Sequence, residues 1–333
     1  MPAGWTASLC ANARRRAGVF RWAAVLGLPW LLFGCALVLP QTEALRTNWP
    51  ADLTTRVELD GVPFFPQKDY QCGPASLATA MRFGGVAVAP DDLVSAVYLP
   101  DRGGSLQVEM LAAPRRYGLV SWQLGPRFED LLREVQAGTP VIAMQDYGMW
   151  PLSYWHYAVV VGFDRETGKA VLRSGEKRRL EMPFAALEFT WKESGYWAMV
   201  AVPPDRIPAT ASEAAWLQAV IAMERVADRK AARTAYAAVM RRWPDSLNGA
   251  IGMANVEHAD GQLAAAEAVL REALKRHPRS DLALNNLAQV LADQNRNAEA
   301  LKLIDEAIAV GGPFSSVAEQ TRAEIRRKMA AAP

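Results

Sequence analysis

The chain has 333 residues, enough for two domains that each bury a core, and its 51% hydrophobic and 22% charged residues describe a globular protein with an apolar excess. A formal net charge of +2 leaves no electrostatic footprint for nucleic acid. A phosphate-binding loop is excluded too: the nearest candidate, Gly162-Phe-Asp-Arg-Glu-Thr-Gly168-Lys169-Ala170, has one residue too many between its glycines and no hydroxyl after the lysine.

The chain opens as a targeting segment. Arg14, Arg15, Arg16 and Arg21 precede an apolar stretch from Trp22 to Leu39, the charged-then-hydrophobic order of a secretory signal. Within it Leu32-Phe33-Gly34-Cys35 resembles a bacterial lipobox, in which Cys35 is lipidated after cleavage. The stretch is also about long enough to span a bilayer uncleaved, and Cys35 could equally be an inert buried thiol. Residues 1 to about 56 read as leader and tether. The rest is expected in a bacterial cell envelope, membrane-anchored and facing the periplasm. Ala36 after the cysteine, rather than aspartate, points to the outer membrane.

From residue 57 to 203 the pattern mixes helix and strand. Gly73 to Phe83 reads as a helix opened by Pro74 in its first turn, followed by helices over Asp91–Tyr98 and Gln107–Tyr117, the latter weakened by Pro114. Phe128–Ala137 is amphipathic, with Phe128, Leu131, Leu132 and Val135 on one face. Strands are expected at Pro140–Gln145, Tyr157–Phe163, Ala170–Arg173 and Tyr196–Val202. Lys177-Arg178-Arg179 reads as a solvated hairpin edge. Helices first and an antiparallel sheet afterwards is an α+β order.

Residues 204–212 hold prolines that continue neither element and read as a linker. From 213 to 333 the sequence repeats at a step of 34. Ala232, Ala266 and Ala300 are in phase, as are Tyr236, Leu270 and Ile304; Val239, Ala273 and Ala307; and Met240, Leu274 and Ile308. Pro244 and Pro278 keep the step, with Gly312-Pro313 at the third place. Small residues where the two helices of a hairpin cross, and proline at the end of each unit, are the tetratricopeptide signature. Ser315–Met329 would be the solvating cap helix, and a protein partner is expected on the repeat surface.

The chemistry is concentrated in few residues. Of three cysteines, Cys10 lies in the leader and Cys35 in the lipobox, which leaves Cys72 as either a small buried hydrophobe or a working thiol. A cysteine at a helix N-terminus meets the positive end of the dipole, which lowers its pKa. Gly73 would let a substrate backbone approach. Gln67, five residues earlier, can donate its side-chain N–H to an oxyanion, with the Cys72 main-chain N–H as second donor. His258 and His277 fall at surface positions of the repeats. His156 opens an apolar strand in the domain that holds the spare thiol, and thiolate chemistry needs an imidazole within hydrogen-bond reach. Tyr147, Trp150, Tyr154 and Trp155 just before it either line a groove or pack under a loop; packing is the preferred reading.

Gln67-x4-Cys72-Gly-Pro-Ala-Ser76 followed by His156-Tyr-Ala-Val-Val-Val-Gly-Phe-Asp164 resembles the bacteriocin-processing cysteine peptidases, papain-like domains that cut after double-glycine leaders. The resemblance covers about Val57 to Val202. It implies Cys72 as nucleophile, His156 as general base and Gln67 as oxyanion donor, with no cofactor and no metal. Relatives carry an Asp-Pro pair on the next strand, where the aspartate orients the imidazole. This chain has Leu172-Arg173-Ser174-Gly175 there, so the orienting group is Ser174, a backbone carbonyl, or Asp164 reaching across. The expected activity is hydrolysis of a polypeptide at a small-residue site, with the repeats recruiting the substrate. A peptide-binding scaffold without catalysis, or a cell-wall amidase using the same Cys/His pair, are the alternatives.

Overall fold

The computed structural model describes residues 39–67, 71–148 and 152–331. The basic cluster, Cys10, Cys35 and Trp150 lie outside the described residues. Among the described residues no helix is long and apolar enough to cross a membrane.

A helix, α1 (Pro40–Thr47), and a short strand, β1 (Arg56–Glu58), precede the long helix α2 (Cys72–Phe83) and α3 (Pro90–Val97). A small hairpin, β2 (Tyr98–Leu99) and β3 (Gly104–Ser105), leads into α4 (Gln107–Ala112). The helix expected to run to Tyr117 tightens at Ala113 into a 3-10 turn, because Pro114 cannot donate the next α-helical hydrogen bond. Then follow β4 (Val120–Gln123), α5 (Phe128–Gln136), β5 (Val141–Asp146), β6 (Trp155–Asp164), β7 (Lys169–Ser174), β8 (Lys177–Pro183), α6 (Phe184–Trp191) and β9 (Ala198–Val202). The sheet is antiparallel in the order β4-β9-β5-β6-β7-β8, and β1 pairs with the far end of β6. The basic run at 177–179 lies on the edge strand β8, as expected.

Strand β6 is central and apolar on both faces because both are covered. Ala158, Val160 and Phe163 pack against Phe128, Leu131, Leu132 and Val135 of α5 and Trp191 of α6. Tyr157, Val159 and Val161 pack against Leu77, Ala78 and Met81 of α2 and Leu93 of α3. The alternation slips by one residue because the register shifts between Val160 and Gly162. Glycine is required at the slip: a Cβ on Gly162 would stand 2.7 Å from the Val57 carbonyl of β1.

Two buried carboxylates fasten the segments that flank this domain. Glu188 of α6 accepts the main-chain N–H groups of Gln41 and Thr42 at 3.0 and 2.5 Å, and Leu45 and Leu53 join the core beside Phe128. The stretch from 41 to 56, read from the sequence as tether, is therefore packed onto the domain. Glu134 of α5 accepts the N–H groups of Ala209 and Thr210 at 3.1 and 2.7 Å and the Thr210 hydroxyl at 2.7 Å, which pins the proline-rich connection.

Beyond it come seven helices: α7 (Glu213–Glu224), α8 (Arg229–Arg242), α9 (Leu247–Ala259), α10 (Leu263–Arg276), α11 (Asp281–Asp293), α12 (Asn297–Val310) and α13 (Ser315–Ala331). The in-phase alanines Ala232, Ala266 and Ala300 are 1%, 0% and 0% exposed, which is the close crossing that the 34-residue step demands. Ser212, Asp228, Ser246 and Ser280 each accept the N–H of the third helical residue as N-caps. Trp216 and Val220 of α7 and Tyr236 of α8 belong to the same core as α5 and β9, so the first helical hairpin and the α+β domain are continuous inside. Ala318 and Ile325 of α13 are buried against the last hairpin.

Candidate active site

Cys72 is the first residue of α2, and Gln71 before it has left the helical conformation, so the cysteine meets the free N–H groups of the first turn. The main-chain N–H groups of Tyr157, Gly73 and Cys72 itself favour its thiolate form. Burial nevertheless pushes the thiol pKa up from its ordinary value. The lowered pKa expected from the helix dipole is thus corrected: desolvation of the thiolate outweighs the donors that face it.

Cys72 packs against the core cluster that holds Tyr157, whose chain neighbour is His156. His156 is 8% exposed, and burial alone pushes its pKa down from 6.5 to about 4. Both shifts favour the neutral forms, a thiol and an imidazole, over an ion pair. The ring is held from two sides. Ser174 Oγ on the adjacent strand β7 stands 2.9 Å from Nε2, and the Tyr147 ring stacks on the imidazole at 5.0 Å between centroids, tilted by 26°. Of the three candidates for the orienting role, Ser174 occupies the position. Asp164 does not reach it: it lies at the other end of β6, bonded to the Thr167 N–H and facing Arg56.

Gln67 is tied to the same two strands. Its N–H donates to the Gly175 carbonyl at 3.0 Å, and its Oε1 accepts from the Gly175 N–H at 3.0 Å. Its Nε2 donates to the Tyr157 carbonyl at 3.2 Å and to Ser76 Oγ at 3.3 Å. Ser76 Oγ in turn donates to the Tyr157 carbonyl at 3.0 Å. The turn Ser174-Gly175, where Gly175 takes φ 58°, therefore positions both the glutamine and the histidine. Gln67 and Ser76 thus meet at the Tyr157 carbonyl, Ser174 meets the His156 ring, and Cys72 packs against the cluster that holds Tyr157. His258 bonds Asp293 at 2.8 Å and His277 bonds the Asp245 carbonyl at 2.9 Å, both within the repeats.

Two expectations are corrected here. Gly73 does not face open space: a Cβ there would collide with the Ser105 side chain, so its small size serves the packing of β3 against α2. Among the described residues, Tyr147, Tyr154 and Trp155 do not pack together under a loop. Tyr147 covers the imidazole, whereas Leu152, Tyr154 and Trp155 are 78%, 62% and 43% exposed. The role of Tyr147 was missed because a tyrosine nine residues from a histidine, across a hairpin, carries no periodic signal. The pairing of Gln145 with His156 in the β5–β6 register is what brings it over the ring. Among the described residues no cluster of three or more histidine, cysteine or acidic side chains could hold a metal.

The model of the Peptidase_C39 like family matches residues 59–199, and a Tetratricopeptide repeat model matches residues 251–316. The solved structure of a C39-like peptidase from Bacillus anthracis is similar at 20% identity, over 45% of this chain and 98% of that one, with a TM-score of 0.38. The peptidase domain of Streptococcus ComA is similar at 19% identity, over 43% and 98%, with a TM-score of 0.36. The TPR2B domain of yeast Sti1 is similar at 20% identity, over 30% and 85%, with a TM-score of 0.29. No curated protein matches the chain. Residues 59–199 are thus a Peptidase_C39-like domain, followed by a run of helices of which residues 251–316 match the tetratricopeptide repeat.

Proposed function

We propose that the chain is a cysteine peptidase that hydrolyses an exported polypeptide, with Cys72 as nucleophile and His156 as base. One observation carries the reading: Cys72, the first residue of α2, packs against the core around Tyr157, next in the chain to an imidazole whose Nε2 is already engaged by Ser174. That engagement leaves Nδ1 as the nitrogen to take the thiol proton. The thiolate then adds to the scissile carbonyl carbon, and its oxygen takes the negative charge. The Cys72 N–H and one N–H of Gln67 Nε2, released from its contact with Ser76 or Tyr157, donate to that oxygen. His156 returns the proton to the leaving amine, and water hydrolyses the acyl-enzyme. The neutral resting pair makes proton transfer part of the attack.

Exposed apolar side chains lie close in sequence to the site residues. Leu152, Tyr154 and Trp155 precede His156, and the exposed Leu106 and Val108 follow Ser105, which touches Gly73. The repeats bind a protein partner or the substrate itself. The N-terminal segment, in this proposal, anchors the chain in a bacterial envelope through Cys35 or as an uncleaved span. Mass-spectrometric mapping of new termini, after full-length protein meets a library of unstructured peptides, tests the activity. Cuts made by wild type and absent with Cys72→Ala support it; no cuts at all favour a peptide-binding scaffold.

A further inference from the structure

Gln67 and Ser76 meet beside the nucleophile's helix, and the direction of each hydrogen bond there follows from main-chain groups. The Gly175 N–H can only donate, so the Gln67 atom facing it at 3.0 Å is the oxygen Oε1. The Tyr157 carbonyl can only accept, so its partner at 3.2 Å is Nε2. Nε2 has only protons to offer, which makes Ser76 Oγ, at 3.3 Å, an acceptor. The Ser76 proton goes to the Tyr157 carbonyl at 3.0 Å. A hydroxyl gives and takes at once, and so fits between an amide that only donates and a carbonyl that only accepts. Ser76 is 1% exposed and stands four residues after Cys72 on α2, on the helix face that carries the thiol, one turn further in. A serine inside a helix can return its proton to a carbonyl one turn back. This one crosses to β6 instead.

We infer that Ser76 is a positioning residue: it anchors the Gln67 amide so that one N–H of Nε2 is left for an oxyanion formed at Cys72. The inference rests on the reading of Cys72 as nucleophile and Gln67 as oxyanion donor, and it names what holds that donor in place. Nε2 carries two protons, and its two acceptors, Ser76 Oγ and the Tyr157 carbonyl, lie only 3.0 Å from each other. One N–H can serve both as a three-centre bond, and the other is released without the amide leaving its anchor. The last torsion of a glutamine is its softest. Here it is fixed by Gly175 at Oε1 and by Ser76 and Tyr157 at Nε2. A donor fixed before the charge appears costs no reorganisation during the reaction. Removing the hydroxyl strands no buried polar group, because the amide and the Tyr157 carbonyl still bond each other. The fold survives its loss; the aim of the amide does not.

The experiment compares two reagents on Cys72 of the full chain. The activated ester p-nitrophenyl acetate acylates a thiol through a tetrahedral oxyanion and expels p-nitrophenolate. Iodoacetamide alkylates it by displacement at a saturated carbon and forms no oxyanion. Mass spectrometry of quenched samples follows the adduct on Cys72 apart from Cys10 and Cys35. Ser76→Ala should slow acylation by roughly tenfold and leave alkylation unchanged. Gln67→Ala should slow acylation by roughly a hundredfold, and adding Ser76→Ala to it should slow it no further. Equal slowing of both reactions by Ser76→Ala would mean a role in the fold alone and overturns the inference, as does a further loss in the double variant. Acylation slowed by Gln67→Ala but not by Ser76→Ala overturns the inference and leaves the reading of Gln67 standing; acylation slowed by neither overturns both. The predicted pattern in a protein that cuts no peptide upholds the inference and counts against the peptidase reading alone.

Discussion

Ser174 Oγ stands 2.9 Å from His156 Nε2, on the strand next to the histidine. A hydroxyl in place of a charge leaves burial unopposed, and the imidazole pKa falls from 6.5 to about 4.

That depression has a consequence for stability. The unfolded chain binds a proton on His156 between pH 6.5 and about 4 and the folded chain does not. The contribution is complete above the unfolded value and is lost as pH falls through the folded one. A shift of this size is worth about 3 kcal/mol. Denaturant unfolding of wild type and His156→Gln at pH 7 and pH 4.5 should show the wild type losing more stability on acidification; equal losses would contradict the assignment.

Gly73→Ala tests the packing of the nucleophile's helix. Its Cβ must displace Ser105, at a cost of about 2 kcal/mol. Ser105→Gly should recover most of the loss in the double variant, measured as a double-mutant cycle. Independent, additive effects would mean that the two residues do not share the space.

Much of this arrangement was legible in the residues. The 34-residue step gave the hairpins because each column marks a crossing that only a small or an apolar side chain fits. Gln67, Cys72 and His156 stood out as chemistry in the wrong company for a bland core. Other elements were not visible. α6 is apolar nearly all round, Phe-Ala-Ala-Leu-Glu-Phe-Thr-Trp, and shows no helical period. β4 has four residues, too few for alternation to register. The thiol pKa was misjudged because a helix terminus is local while burial is tertiary. Glu134 and Glu188 look like surface acids in sequence; their partners lie 75 and 147 residues away.

Glu134→Ala removes the acceptor that holds the connection between domain and repeats. Three donors lose a charged partner, which should cost about 3 kcal/mol. Limited proteolysis should then cut within residues 204–212 in the variant while wild type resists. Equal resistance would show that the connection is held by its apolar contacts.

Ala266→Leu inserts a branched side chain at a helix crossing that is fully buried. Overpacking of this kind costs about 1 to 3 kcal/mol, and a solenoid passes strain only to its neighbours. Thermal unfolding followed by far-ultraviolet circular dichroism should fall, while the Cys72 alkylation rate at 25 °C stays unchanged. A slowed thiol would show that the repeats reach the site.

The most direct measurement is covalent trapping of the full-length chain by a peptidyl electrophile that reacts only with a base-assisted thiol, followed by mass spectrometry of the adduct. Adduct on Cys72 in wild type, strongly reduced with His156→Gln although circular dichroism is unchanged, is the predicted result. Labelling that His156→Gln does not alter, or a thiol that never reacts in a folded protein, would contradict the pairing of Cys72 with His156.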